Sequence, residues 1–136
     1  MRSAVASLDR LSEQQCWAAL GEATVGRLAV RAADGVDMFP VNFTVHEHSI
    51  VIRTAPGSKL VDIAAASSVA FECDGTRGHD YWSVVVRGTA ERLYRDSDIE
   101  QSGVLQLATV TPAATWNFIR ITPTTVSGRR FTSAIA

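Results

Sequence analysis

The feature that most constrains this chain is a recurrence of short runs rich in valine, isoleucine, threonine and aromatic residues, each closed by turn-forming residues. TVGRLAV at 24–30, MFPVNFTV at 38–45, SIVIRT at 49–54, SVAFEC at 68–73 and YWSVVVRGTAERLY at 81–94 have this character. Ala33-Asp34-Gly35, His46-Glu47-His48 and Asp74-Gly75 supply turns between them. β-Branched and aromatic side chains suit a pleated, half-buried surface, and turns at this spacing join successive strands antiparallel. The run at 81–94 is far longer than an ordinary strand of about five or six residues, and Gly88 in its middle predicts a bulge or sharp bend. Long bent strands belong to barrels. WNFIRITP at 116–123 and TVSGRRF at 125–131 predict two closing strands, with Pro123 at a strand boundary because a central strand cannot spare its N–H.

Three helical signals interrupt this pattern. In LSEQQCWAAL, Ser12 and Gln15 have capping-box spacing, and Leu11, Cys16, Trp17 and Leu20 recur at helical intervals, so a helix from about 12 to 21 is expected. KLVDIAAA at 59–66 follows a Pro-Gly break, and SDIEQSGVLQL at 97–107 opens on a Ser97 cap followed by Asp98 and Glu100, charges that favour a helix N-terminus. The expected fold is mainly β: a small antiparallel, Greek-key-like barrel with helices as plugs and covers, forming one domain over 1–136 with a flexible N-terminus at 1–9.

A hydrophobic share of 46% with 20% charged residues is that of a globular protein rather than a disordered one. The net charge of −1 provides no general attraction to nucleic acid or anionic lipid, so any anion site must be local. MRSAVASLDR holds no apolar core of signal-peptide length, and VDIAAASSVAFEC is broken by Asp62 and two serines, so a membrane span is not expected and the cytoplasm is the expected location. Cys16 and Cys73 show no CxxC or partner pattern and read as two buried, reduced thiols.

Local anion chemistry is suggested by RTAPGSKL at 53–60. Pro56 and Gly57 end a strand, and a helix beginning near Ser58 presents unpaired backbone N–H groups backed by its dipole. The Ser58 hydroxyl, the Lys59 ammonium, Arg53 and Thr54 face the same corner. A capped helix beside a solvated Lys and Arg would have the same sequence. In MFPVNFTV, Phe39, Val41, Phe43 and Val45 share one face while Pro40, Asn42 and Thr44 share the other. Pro40 weakens pairing there, leaving backbone amides near 40–43 to read the edge of a flat heterocycle; an edge strand facing solvent has the same pattern. His46 and His48 form H-x-H in a hairpin turn with no third metal ligand nearby, and His79 with Asp80 reads as a surface loop. No order of Ser, His and Asp, or of Cys and His, marks a nucleophilic catalyst.

GRLAV, FPVNF, IVIRTAPGSKL, VAFECD, WSVVVRGTAERL and RITPTTVSGRRF, in that order and spacing, resemble the pyridoxamine 5'-phosphate oxidase-like proteins with the FMN-binding split-barrel fold, specifically the short bacterial and actinobacterial branch. The likeness runs from about residue 10 to 131. It implies that Arg53, Thr54, Ser58 and Lys59 hold the FMN phosphate, that the backbone of Pro40, Val41, Asn42 and Phe43 meets the isoalloxazine edge, and that Trp82, Ser83 and Val84 approach the flavin of a second subunit. It further implies a homodimer and an FMN-dependent oxidoreductase in which no side chain need act as acid or base, reduced by NADH, NADPH or another donor. Two departures matter. Tyr81 stands where related short proteins commonly carry Gly, placing a ring at the flavin's approach. SGRR at 127–130 lacks the spacing of the substrate-phosphate clamp of the true pyridoxamine phosphate oxidases, so that activity is not expected. Within the same fold, a deazaflavin coenzyme would call for more basic residues than Arg53 and Lys59, and a non-catalytic flavin- or haem-binding dimeric module is the reading from a different class.

Overall fold

A computed structural model describes residues 5–55, 60, 67–93, 96–102 and 117–133. Among the described residues the strands are β1 (Val5–Arg10), β2 (Val25–Ala32), β3 (Gly35–His46), β4 (Ser49–Thr54), β5 (Ser68–Arg77), β6 (Asp80–Leu93) and β7 (Asn117–Ser133), with helices α1 (Glu13–Leu20) and α2 (Asp96–Ser102). The strands form one antiparallel sheet in the order β1-β7-β4-β3-β2-β5-β6, closed by a further β6–β7 pairing. The fold is mainly β, a split barrel.

The alternation read from the sequence is the alternation that fills it. Val41 and Phe43 on β3, Ile50 and Ile52 on β4, Val69, Phe71 and Cys73 on β5, Val84 and Val86 on β6, and Ile119 and Ile121 on β7 all point inward and are buried. Phe43 and Phe71 meet edge to face, with ring centroids 4.8 Å apart. Full burial of such a side chain contributes about 2–3 kcal/mol relative to exposure, so the inward set dominates the stability of the barrel.

α1 begins where the capping box predicts. The Ser12 hydroxyl accepts from the Gln15 backbone N–H at 3.1 Å, and the Gln15 side-chain oxygen accepts from the Ser12 N–H at 2.8 Å. Cys16, Trp17 and Leu20 are buried against the barrel. The helix can lie this close because Gly128 on β7 has no side chain: a Cβ there would sit 2.6 Å from the Cys16 sulfur. At the far side Trp17 stacks on His48, centroids 5.2 Å apart and rings 6° from parallel. His48 shares with Glu47 the two-residue turn joining β3 to β4, both at positive φ, as a twisted hairpin requires.

Three expectations are modified. The runs at 116–123 and 125–131 are one continuous strand, β7, not two. Pro123 is tolerated inside it because the register shifts there: Gly88 faces Pro123 while Arg87 faces Thr125, and the extra residue, Thr124, donates its hydroxyl to the Arg87 carbonyl at 3.0 Å. This is the bulge that Gly88 predicts, with Pro123 seated at it, where a missing N–H costs no ladder bond. Of the stretch 1–9 expected to be flexible, residues 5–9 belong to β1 (Val5–Arg10), which pairs with β7. The helix expected at 59–66 lies outside the described residues apart from Leu60, which is buried, and the expected 97–107 helix is described as far as Ser102.

β7 is the seam. Along one edge it pairs with β6 from Phe118 to Thr132; along the other it pairs with β4 through Asn117–Ile121 and with β1 through Arg129–Ser133. Between those last two stretches the second edge carries no strand among the described residues, and there the barrel is split. No helix among the described residues is long and apolar enough to cross a membrane.

Both cysteines are free and buried. Cys73 donates its S–H to the Val25 carbonyl at 3.3 Å, and burial, with Glu72 beside it, pushes the thiol up to about 11. The unfolded thiol ionises near its ordinary 9.0, so the stability gained by keeping it neutral is complete below pH 9 and is lost between pH 9 and 11. Urea midpoints should therefore fall over that window, and less steeply in Cys73→Ala. A second expectation concerns the bulge. A Cβ on Gly88 would collide with the Thr122 carbonyl, so Gly88→Ala should destabilise the protein by about 1–3 kcal/mol in urea unfolding.

Candidate functional site

The two-residue turn at Glu47–His48 sets the register of the β3–β4 hairpin, and that register pairs Asn42 directly with Arg53. The residues lie eleven apart in sequence but side by side on the outer face of the barrel. Phe118 on β7 flanks Arg53 on its other side. Arg53 is 3% exposed, an unusual position for a guanidinium, and burial pulls its pKa below the ordinary value. Its burial has an evident source. Val51, Leu93 and Phe118 form a small apolar cluster on this outer face, covered by Ile99 of α2, and Arg53 lies at its margin.

Thr54 follows on the inward side and is buried; its hydroxyl donates to the Asn117 carbonyl at 3.5 Å. Arg92 donates to the Asn117 side-chain oxygen at 2.7 Å. Asn117 thus ties the end of β4 to β6. The corner where β4 ends is built from Asn42, Arg53, Thr54, Asn117 and Arg92, and the last two carry no motif that would have singled them out. Ser58 and Lys59 lie outside the described residues.

The β3 backbone at this corner has a definable edge. The Phe43 N–H donates to the Thr24 carbonyl at 2.9 Å, so Phe43 and, by antiparallel alternation, Val41 direct their main-chain groups to β2. Asn42 directs its own to Arg53 on β4, and β4 reaches no further along β3. The β4-side edge of Met38 to Pro40 therefore has no strand partner among the described residues. It presents the Met38 N–H and the carbonyls of Met38 and Pro40. The amides expected to be free near 40–43 are engaged; the groups on offer are a carbonyl acceptor at Pro40 and a donor–acceptor pair at Met38. Val41 and Phe43 point into the core and can contribute main chain only. Arg27, paired with Pro40 in register, is held by Glu72 at 2.6 Å and Asp74 at 2.7 Å, which braces β2 against β5 beside this edge.

Trp82, Ser83 and Val84 lie elsewhere. They sit on β6, opposite Arg130, Arg129 and Gly128 of β7. With β2 and β5 between β3 and β6, Ser83 lies three strands from Asn42 around the barrel. Val84 is fully buried and faces inward, whereas Ser83 faces outward and Trp82 packs partly against the core. Within one chain the two groups do not meet. Tyr81 lies on the outer face of the same strand, stacked on Phe131 with centroids 5.3 Å apart and rings 14° from parallel. Its ring is held by that cross-strand partner.

A split barrel with an arginine-lined corner at a strand end and an unpaired β-edge beside it is the class of structure that the chain forms. The family model for pyridoxamine 5'-phosphate oxidase matches residues 12–130, and the chain belongs to that family. It is similar to the FAD binding protein from Mycobacterium smegmatis, with 34% identity, 91% of this chain and 98% of that one covered, and a TM-score of 0.80. A Corynebacterium glutamicum protein named for the same family has 38% identity over 93% of this chain and 99% of its own, also with a TM-score of 0.80. An uncharacterized protein of Mycobacterium tuberculosis is 32% identical over 87 residues, 64% of this chain and 79% of that protein.

The Tyr81–Phe131 stack sets a measurable expectation. Tyr81→Ala should lower stability by about 1 kcal/mol in urea unfolding, the size of an aromatic pair, while leaving the far-ultraviolet spectrum unchanged.

Proposed function

We propose that this chain is a flavin-binding oxidoreductase acting as a homodimer in the cytoplasm. The observation that carries this reading is the pairing of Asn42 with a buried Arg53 next to the open Met38–Pro40 edge. The residues fit a flavin at both of its recognition points. A phosphate at this corner would meet a buried guanidinium, a setting in which a charge-assisted hydrogen bond is strong. Of a pyrimidine edge with one N–H between two carbonyls, one carbonyl can accept from the Met38 N–H and the ring N–H can donate to a Met38 or Pro40 carbonyl.

In this reading Arg53, Thr54, Ser58 and Lys59 hold the phosphate, and Pro40, Val41, Asn42 and Phe43 orient the ring, with Pro40 offering its carbonyl and Asn42 its side chain while Val41 and Phe43, bonded to β2 and seated in the core, fix the strand beneath it. When bound, the flavin supplies hydride acceptance and donation, chemistry that no side chain of this protein provides. The protein binds, orients and excludes water; no general acid or base is assigned. FMN needs only the one phosphate corner, and FAD is the form to test beside it, since the similar M. smegmatis protein binds FAD.

The dimer is supported by two features. Trp82 and Ser83 lie three strands from Asn42 around the barrel, so one chain does not bring the two segments side by side, and Val25, Val36 and Met38 expose 51%, 72% and 67% of their surface on the strands that border the corner. Packing a second subunit there would remove that apolar surface from water and bring its Trp82–Ser83 segment to the ring. A true pyridoxamine phosphate oxidase activity is not proposed.

Purified protein titrated with FMN and with FAD should bind one of them and show a flavin spectrum that NADH or NADPH bleaches; a protein that takes up neither overturns the reading. Lys59→Ala should weaken flavin binding by one to two charge-assisted hydrogen bonds, about 1.5–3 kcal/mol each. Unchanged affinity would remove Lys59 from the phosphate site.

A further inference from the structure

Sulfur is placed unevenly in this protein. Cys16 and Cys73 are both free and buried. Burial, with Glu13 acting on Cys16 and Glu72 on Cys73, raises both thiols above their ordinary value, so neither offers a thiolate to an oxidant. Met38 is different. It is the one methionine after the first residue, and 67% of its surface is exposed.

Two features of the sheet keep the Met38 side chain open. Its cross-strand partner on β2 is Ala29, and Ala29 pairs in turn with Ala70 on β5, so the row beside it carries methyl groups too short to reach over a thioether. On the other flank β4 pairs with β3 only from Asn42 to His46, and among the described residues no strand lies beside Met38 there. Period-two alternation sets Val36, Met38, Pro40 and Asn42 on one face, where Val36 is 72% exposed. A flexible thioether within an exposed apolar strip suits a contact surface.

We propose that Met38 is a redox modification site, and that its oxidation by a peroxide separates the two subunits. The inference rests on the homodimer reading above, in which the second subunit covers Val25, Val36 and Met38. In the reaction with hydrogen peroxide the sulfur attacks one oxygen, so that an S–O bond forms as the O–O bond breaks. The proton of the transferred hydroxyl passes to the departing oxygen, which leaves as water; sulfur loses two electrons and the peroxide gains them. The product sulfoxide is polar and chiral. Returned to an apolar contact, its oxygen would lack a donor, and that penalty opposes reassociation. In the assembled dimer the thioether is shielded, so the reaction runs on the free subunit and traps it. Pro40 alone separates Met38 from Asn42 on this face, so loss of the second subunit also uncovers the flavin corner.

The test uses the full chain as purified and reads association rather than cofactor binding, which keeps the flavin question separate. Hydrogen peroxide is applied at low and at high protein concentration, the modified residue is located by peptide mass spectrometry, and association is followed by sedimentation. One oxygen should be added at Met38, more slowly at high concentration where the dimer shields it. The oxidised protein should associate more weakly by about tenfold or more, and treatment with a methionine sulfoxide reductase should restore it. Met38→Leu keeps the apolar volume and should associate like the parent before and after peroxide. Met38→Gln puts a polar amide in the strip and should associate weakly without any peroxide. A protein that dimerises but leaves Met38 unoxidised, or that dimerises equally well once oxidised, overturns this inference and leaves the dimer standing. A protein that is monomeric at every concentration overturns the dimer reading and this inference with it.

Discussion

The barrel depends on one strand keeping two partners at once. β7 pairs with β6 over nearly its whole length, and a strand this long cannot stay straight around a small core. The bulge between Gly88 and Pro123 provides the bend. Gly88 is required there because a side chain would occupy the space of the Thr122 carbonyl, and Pro123 is allowed there because the bulge leaves its position without a ladder bond to make. Past the bend β7 changes its other neighbour from β4 to β1. Barrel closure and the split both follow from this single strand.

Burial decides how the site at the end of β4 is chemically tuned. Arg53 is buried beside Phe118, its cross-strand neighbour, at the margin of the apolar cluster of Val51, Leu93 and Phe118. A guanidinium in that setting is poorly solvated but keeps its charge, so an anion that reaches it meets little competition from water. Arg27, by contrast, is held between two carboxylates at the surface, where it serves the junction of β2 with β5. Arg27 on β2 and Arg53 on β4 are separated by β3, and the Arg27 counterions are built into the sheet.

Much of this was legible in the sequence, for reasons that differ from residue to residue. The inward residues of β3 to β6 follow from period-two alternation, and α1 from its capping box. The neighbourhood of Asn42 and Arg53 is recoverable by counting outward from the Glu47–His48 turn. β1 was hidden because VASLDR has only Val5 and Leu8 as large apolar residues; its order comes from pairing with β7, a tertiary effect. β7 read as two strands because Pro123 usually marks an end, and only the bulge partner makes it an interior residue. Asn117 and Arg92 carried no signal, since they act by bridging strands that the sequence does not show to be neighbours. The gap between Asn42 and Ser83 depends on sheet order, which local pattern does not contain.

The inward turn of Val41 and Phe43 has an evolutionary consequence. Groups offered along the open edge of β3 belong to the peptide backbone and are the same whatever amino acids the strand carries. Selection on that strand is then chiefly for greasiness at alternate positions. A backbone edge of this kind keeps its hydrogen-bonding groups through wide sequence divergence.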